Sequence, residues 1–294
     1  MRRTSAFANC GHTYGLAWTA MCHFRTQALN ANFLRSRLGI RVQPMLRRAV
    51  LSLGLCMNGL VAVTGWAYAT EITVMSDTPV ATALSHIGDI FRQETGNEIK
   101  FVFGLSPVIH KKVTDGEPGD VLIIQPNFIS DLVASGKIAA GQHPSIAKVG
   151  IGLFMRADAQ ALDVSTVPAF RQALLNADAL VFSNVAGGNY FAMVLERLGI
   201  TNVVKDKVVR ASPPDVVARV LQGKGSEIGV MVVTLIKADK RLRLIGTLPA
   251  EFQGYLDYTA APLVGSPSPR LAGEFIDFLS SPRAREEFVA SGAE

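Results

Sequence analysis

The sequence predicts an α/β fold with two mostly parallel sheets flanked by helices. Three observations lead there. Short β-branched runs alternate with amphipathic segments along 70–294, as in chains built of strand–helix units. The run Asp120-Val-Leu-Ile-Ile124 is apolar on both faces, the mark of a strand covered on two sides. The strands number about nine or ten, more than one compact sheet comfortably holds.

The elements follow in order. Residues 71–75 read as a strand, and 80–94 as a helix with Leu84, Ile87, Ile90 and Phe91 on one face, stopped at Gly96. A strand over 98–103 precedes a short helix over 107–114. The strand at 120–124 leads into a helix over 127–135 ended by Gly136. A strand is expected over 148–155, a helix over 166–177 and a strand over 179–183. A helix over 189–198 ends at Gly199. Residues 203–210 are mixed, 215–222 helical and 227–233 a strand. Strands over 242–247 and 257–264 precede helices over 270–280 and 282–290.

Composition breaks sharply at residue 69. The first 69 residues contain eight Arg, all three Cys, both Trp and no Asp or Glu. The whole chain carries 29 Lys+Arg against 24 Asp+Glu, formally +5; without the leader it is 21 against 24, or −3. The basic balance therefore belongs to the leader and does not point to nucleic acid. Met45-Leu46-Arg47-Arg48, an apolar run over 49–65 and the small-x-small triplet Ala67-Tyr68-Ala69 read as a cleaved export signal over 45–69. Residues 1–44 read as an over-extended start. The 225 residues after the leader have no Cys and need no disulfide, and they suffice for a real core.

The chemistry lies in how the helices begin. Thr78-Pro79, Ser106-Pro107 and Ser212-Pro213 each read as a hydroxyl cap followed by proline, and Asn184 to Asn189 opens a helix through Gly187-Gly188. Such starts present unpaired N–H groups, and in a parallel sheet they share the edge where ligands bind. Any one of them is also an ordinary cap. Asp77 either repels an anion in that loop, holds a cationic part of a ligand, or caps the first helix. Tyr190 is placed to aim a hydroxyl into the cleft and Arg210 to pair a carboxylate. His86 lies at a helix margin, His110 with Lys111-Lys112 at the rim or on a solvated face, and His143 in a polar loop. These His, with no Cys, give no metal spacing. No phosphate loop and no nucleophile–base pattern appears, and no metal or cofactor is expected.

The chain resembles periplasmic solute-binding proteins of the molybdate-binding type. The resemblance spans 71–294 and rests on Glu71-Ile-Thr-Val74, Thr95-Gly96, Phe103-Gly104 with Ser106, and Gly116-x-Pro118-x-Asp120-Val121. It continues through Leu132 to Gly136, Leu195 to Gly199, Ile228-Gly229-Val230 and Phe275 to Pro282. It implies a two-lobed periplasmic binding protein-like fold with hinge crossover strands. Lobe 1 would be 70–150 plus 258–294, and lobe 2 would be 151–257. It further implies a monomer in the periplasm that hands a small anion, a molybdate-like oxyanion or small carboxylate, to an ABC permease and ATPase complex at the inner membrane.

The family's second-loop serine matches Ser106, and its first falls on Pro79 beside Thr78. Its third donor falls near Gly187. Its fourth falls near Pro214 or Val216, and its tyrosine on Val232. The expected ligand residues are thus Asp77, Thr78, Ser106, Gly187, Gly188, Asn189, Tyr190 and Ser212. The alternative is an aconitate-isomerase-like enzyme acting on a tricarboxylate, with Asp77, His110 or Tyr190 as acid and base.

Overall fold

The computed structural model describes residues 70–294. The export signal and the upstream extension expected from the sequence lie outside them.

Among the described residues nine strands form the frame: β1 (Glu71–Asp77), β2 (Glu98–Gly104), β3 (Val121–Ile124), β4 (Ser145–Arg156), β5 (Leu180–Ser183), β6 (Val208–Ala211), β7 (Ile228–Val232), β8 (Leu242–Thr247) and β9 (Tyr255–Pro262). The helices are α1 (Ala81–Thr95), α2 (Ser106–Thr114), α3 (Pro126–Ala134), α4 (Val167–Asn176), α5 (Ala186–Arg197), α6 (Thr201–Val204), α7 (Pro213–Gln222), α8 (Val233–Ala238), α9 (Pro269–Leu279) and α10 (Pro282–Ser291).

One wing holds β2-β1-β3-β9 with the first half of β4. The other holds the second half of β4 with β7-β5-β6 and β8. The inner pairings of each wing are parallel: β1 with β2 and β3, and β5 with β6 and β7. Every antiparallel pairing involves β4 or β9. The reason is chain direction: these two strands carry the chain between the wings and run against their neighbours. β4 changes partner midway, pairing with β9 through Gly150 and with β7 from Ile151.

Strand alternation distributes the core. On β1, Ile72 and Val74 face the side covered by α1, α9 and α10, while Met75 faces Ile109 of α2 and Leu132 of α3. β3 repeats this with Val121 and Ile123 against Leu122 and Ile124. In the other wing, Leu180 and Phe182 of β5 pack with Phe191 of α5 and Phe170 of α4, and Val181 packs with Val216 and Val220 of α7. Each such buried Val, Leu, Ile or Phe contributes about 1.5–3 kcal/mol. Both faces of these strands are covered, which is why the sequence shows near-continuous apolar runs there.

Several element bounds differ from the sequence reading. α5 begins at Ala186, so Gly187 and Gly188 lie in its first turn rather than before it. The strand expected to run through Val233 ends at Val232, and Val233–Ala238 form α8, which the sequence reading does not contain. α6 is too short to show a period, and the sequence reading does not contain it. Among the described residues no helix is long and apolar enough to cross a membrane.

Candidate functional site

The first turns of four helices line one cavity of about 410 Å³. Leu105 and Ser106 come from the start of α2, and Gln125, Asn127 and Phe128 from that of α3. Asn184 to Gly188 bring the start of α5, and Pro213 and Val216 that of α7. α2 and α3 belong to one wing, α5 and α7 to the other, so the cavity opens between the wings. Tyr258 of β9 and Asp77 at the end of β1 also line it, together with an apolar surface that includes Pro79, Val230, Leu235 and Leu256. No Lys, Arg, His or Glu is among its lining residues.

The two walls differ in chemistry. On the α5 wall the helix start offers backbone N–H groups, since the first-turn N–H groups have no intrahelical acceptor. Gly188 is required by packing: a Cβ there would lie 1.9 Å from the Ser183 carbonyl oxygen. Gly187 faces open space, and a Cβ added there would meet nothing within 4 Å. α7 contributes less, because Pro213 and Pro214 have no N–H and the Val216 N–H is taken by the Ser212 carbonyl.

On the opposite wall the central group is Asp77, only 3% exposed. One of its carboxylate oxygens accepts from the Thr78 N–H at 2.8 Å, and the other accepts the Ser106 hydroxyl. Ser106, itself buried, also accepts from the Gln125 N–H at 3.4 Å. Desolvation pushes the Asp77 carboxyl from its ordinary 3.8 up to about 6. The Ser106 hydroxyl and the N–H groups of Thr78 and Ser106 pull it the other way but do not prevail.

Beside Asp77, Tyr258 is fully buried and its hydroxyl has no hydrogen-bond partner among the described protein atoms. The Gln125 side chain lies near that hydroxyl without reaching bonding geometry. Burial first, then the Asp77 charge, push the Tyr258 hydroxyl far above its ordinary acidity range, so it keeps its proton.

The structure redistributes the sequence expectations. Asp77, Ser106, Gly187 and Gly188 line the cavity. Four others do not. Thr78 is not the cap of its turn: Asp77 occupies that position and Thr78 follows it. Asn189 is exposed and accepts a hydrogen bond from Arg210, whose guanidinium sits over the Phe182 ring. Tyr190 donates to the Phe252 carbonyl at 3.1 Å instead of reaching the cavity. Ser212 holds the cap position but donates to Asp215 of its own helix at 2.6 Å.

His110 lies against Phe128 with ring centroids 5.3 Å apart, outside the cavity lining. His86 pairs with Glu287 at 3.4 Å on the surface, and His143 contacts the Ala139 carbonyl. Ser106 is not a cap either: Leu105 is, and the hydroxyl turns to Asp77. Among the described residues no group of three or more His, Cys, Asp or Glu is arranged to hold a metal ion.

Sequence reasoning missed Tyr258, Gln125 and Asn127. A tyrosine within an apolar strand reads as core, and the α3 start, Gln125-Pro126, lacks the hydroxyl that marked the other starts. The proline at 126 was the available signal.

Two α/β wings joined by crossing strands, with helix starts facing a cavity between them, define a two-lobed fold of the solute-binding class. The chain belongs to the bacterial extracellular solute-binding protein family, whose model matches residues 72–294. It is 24% identical to the aconitate isomerase of a Pseudomonas species over 254 residues, covering 84% of this chain and 96% of that protein. It is 22% identical to the molybdate-binding protein ModA of Haemophilus influenzae over 242 residues, covering 79% and 94%. Among solved structures, the periplasmic molybdate-binding protein of Azotobacter vinelandii superposes with a TM-score of 0.63 at 18% identity, covering 76% of this chain and 98% of that one.

Proposed function

We propose that the protein is the exported solute-binding component of an ABC-type importer. It is delivered to the periplasm by the signal at 45–69 and works as a monomer. It captures a small anion, an oxyanion or a small carboxylate, between lobe 1 (70–150 plus 258–294) and lobe 2 (151–257). It then closes and delivers the solute to a permease and ATPase at the inner membrane. The observation that carries this reading is the cavity itself: helix starts from both wings meet there and supply donors without a single Lys or Arg. Capture needs no bond chemistry. The molybdate-binding relative from Haemophilus influenzae, aligned over 94% of its length, supports the same class of work.

Asp77 favours a second reading. A carboxyl with a pKa of about 6, buried in the cavity, is suited to take and return a proton near neutral pH. On a tricarboxylate with a carbon–carbon double bond, it would remove a proton from one carbon and return it two carbons away. The base is restored and the net change is an isomerisation. The aconitate isomerase from Pseudomonas supports this alternative.

One experiment separates the two. The purified protein is melted with molybdate, tungstate, sulfate and a set of di- and tricarboxylates, and is separately incubated with trans-aconitate while the cis isomer is assayed. A solute at about one hundred times its Kd adds about 2.7 kcal/mol, or roughly 5–10 °C at this size. Stabilisation without turnover supports capture. Catalytic production of cis-aconitate supports the isomerase, and neither stabilisation nor turnover contradicts both.

A further inference from the structure

The cavity that the capture reading assigns to the solute also narrows the solute's chemistry, and the following rests on that reading. We infer that the solute is a hydroxycarboxylic acid, its carboxylate held at the α5 start and its hydroxyl held between Asp77 and Tyr258.

Three observations converge. First, the walls are unlike. The first-turn backbone N–H groups of α5 are donors, whereas Asp77 on the other wing offers a charged acceptor. A compact inorganic oxyanion is acceptor-only all round, so it satisfies the α5 wall and leaves Asp77 facing like charge. No cation among the lining residues offsets that.

Second, Tyr258 is fully buried with a hydroxyl that no protein group satisfies, although it lies near Gln125 and within the influence of the Asp77 charge. Buried hydroxyls are normally paired. The group that completes both partners must donate to Asp77 and accept from Tyr258. An alcohol does both. An ammonium has three donors and no acceptor, and a second carboxyl group is ionised at neutral pH and has no proton to give.

Third, much of the lining is hydrocarbon, including Leu105, Phe128, Val185, Leu235 and Leu256. A cavity of about 410 Å³ with such walls is in the range that holds small organic molecules with a carbon body.

The test is a calorimetric titration of the full protein with pairs that differ by one hydroxyl: lactate and propionate, malate and succinate, citrate and tricarballylate. Aspartate and molybdate complete the panel. At least one hydroxy acid is expected to bind tenfold or more tighter than its deoxy partner. Tyr258→Phe is expected to remove most of that preference, and Asp77→Ala to abolish it. Because no protein group pairs with the Tyr258 hydroxyl, Tyr258→Phe is expected to leave the melting temperature without solute unchanged or higher, a result that a structural role would not give.

Equal affinity within every pair overturns the inference, as does aspartate binding tighter than malate. Molybdate or a deoxy acid as the tightest solute overturns it while leaving the capture reading intact. Silence across the whole panel overturns both. A Tyr258→Phe protein that melts markedly lower without solute assigns that hydroxyl to the fold and removes it from the site.

Discussion

The two walls of the cavity are built on opposite economies. The α5 wall is backbone: its donors come from where a helix starts, and glycine lets the chain come close. Gly188 is pressed against Ser183 while Gly187 stands open. The Asp77 wall is side chain: a buried carboxylate held by the Ser106 hydroxyl and the Thr78 N–H, next to an unsatisfied tyrosine. A backbone wall is stable because it is the fold. A wall of buried polar side chains costs stability unless its partners offset the desolvation. Asp120 makes the contrast sharper. It is as buried as Asp77, yet it lies away from the cavity and accepts the Thr73 N–H at 2.8 Å and the Ser266 hydroxyl at 2.5 Å, tying β1 to the loop before α9.

Breaking the backbone wall has the largest expected effect. Gly188→Val forces a side chain into the Ser183 carbonyl, so α5 must leave β5. The expected loss is about 3 kcal/mol or more, a drop of roughly 10 °C in Tm by calorimetry, together with loss of solute binding.

The Asp77 wall gives the next largest effect, with the opposite sign. Burial raises the Asp77 pKa from 3.8 to about 6, so the folded protein binds that proton more tightly than the unfolded chain. Stability is highest below the lower value, and it falls as pH rises from about 4 to about 6. A shift of that size corresponds to about 2–3 kcal/mol. Asp77→Asn is therefore expected to raise Tm at pH 8 and to have little effect at pH 3.5. A lower Tm for the variant at pH 8 would show that the carboxylate is held by more than the donors named. Tyr258, the other titratable group in the lining, keeps its proton throughout this range and does not contribute.

Ser106→Ala is the mildest change to stability. It removes one donor to Asp77 and the acceptor for the Gln125 N–H, at a cost of about 1–2 kcal/mol in urea unfolding. It also weakens solute binding, by more than a stability loss alone explains. Unchanged affinity would take Ser106 out of the site.

These residues also show where the sequence was informative. The helix starts were legible because proline after a hydroxyl, and paired glycines, have a local physical meaning. Ser106-Pro107 and Gly187-Gly188 stand at the cavity. What local reading misplaced was direction. It offered both Thr78 and Asp77 as the cap, and Asp77 caps; it aimed Tyr190 at the cleft, whereas that ring packs against Gly254 and its hydroxyl meets the Phe252 carbonyl. Which way a side chain turns from a helix start depends on how the helix sits on its sheet. For α5 that is set by the close contact of Gly188 with the Ser183 carbonyl across the turn out of β5. Tyr258 was illegible for a similar reason. Along β9 it is one more large apolar residue, and only the approach of β1 and the α3 start gives its hydroxyl polar neighbours.

The central claim is that solute is held in the cavity between the wings, against the start of α5. Gly187→Trp tests it most directly, because Gly187 lines the cavity and a Cβ there meets nothing within 4 Å. The measurement is the melting temperature of wild type and variant with the same panel of carboxylates and oxyanions. The expected result is a variant that melts within about 2 °C of wild type on its own and gains nothing from any anion that stabilises wild type. An anion that stabilises both proteins equally would place the solute elsewhere and contradict the account.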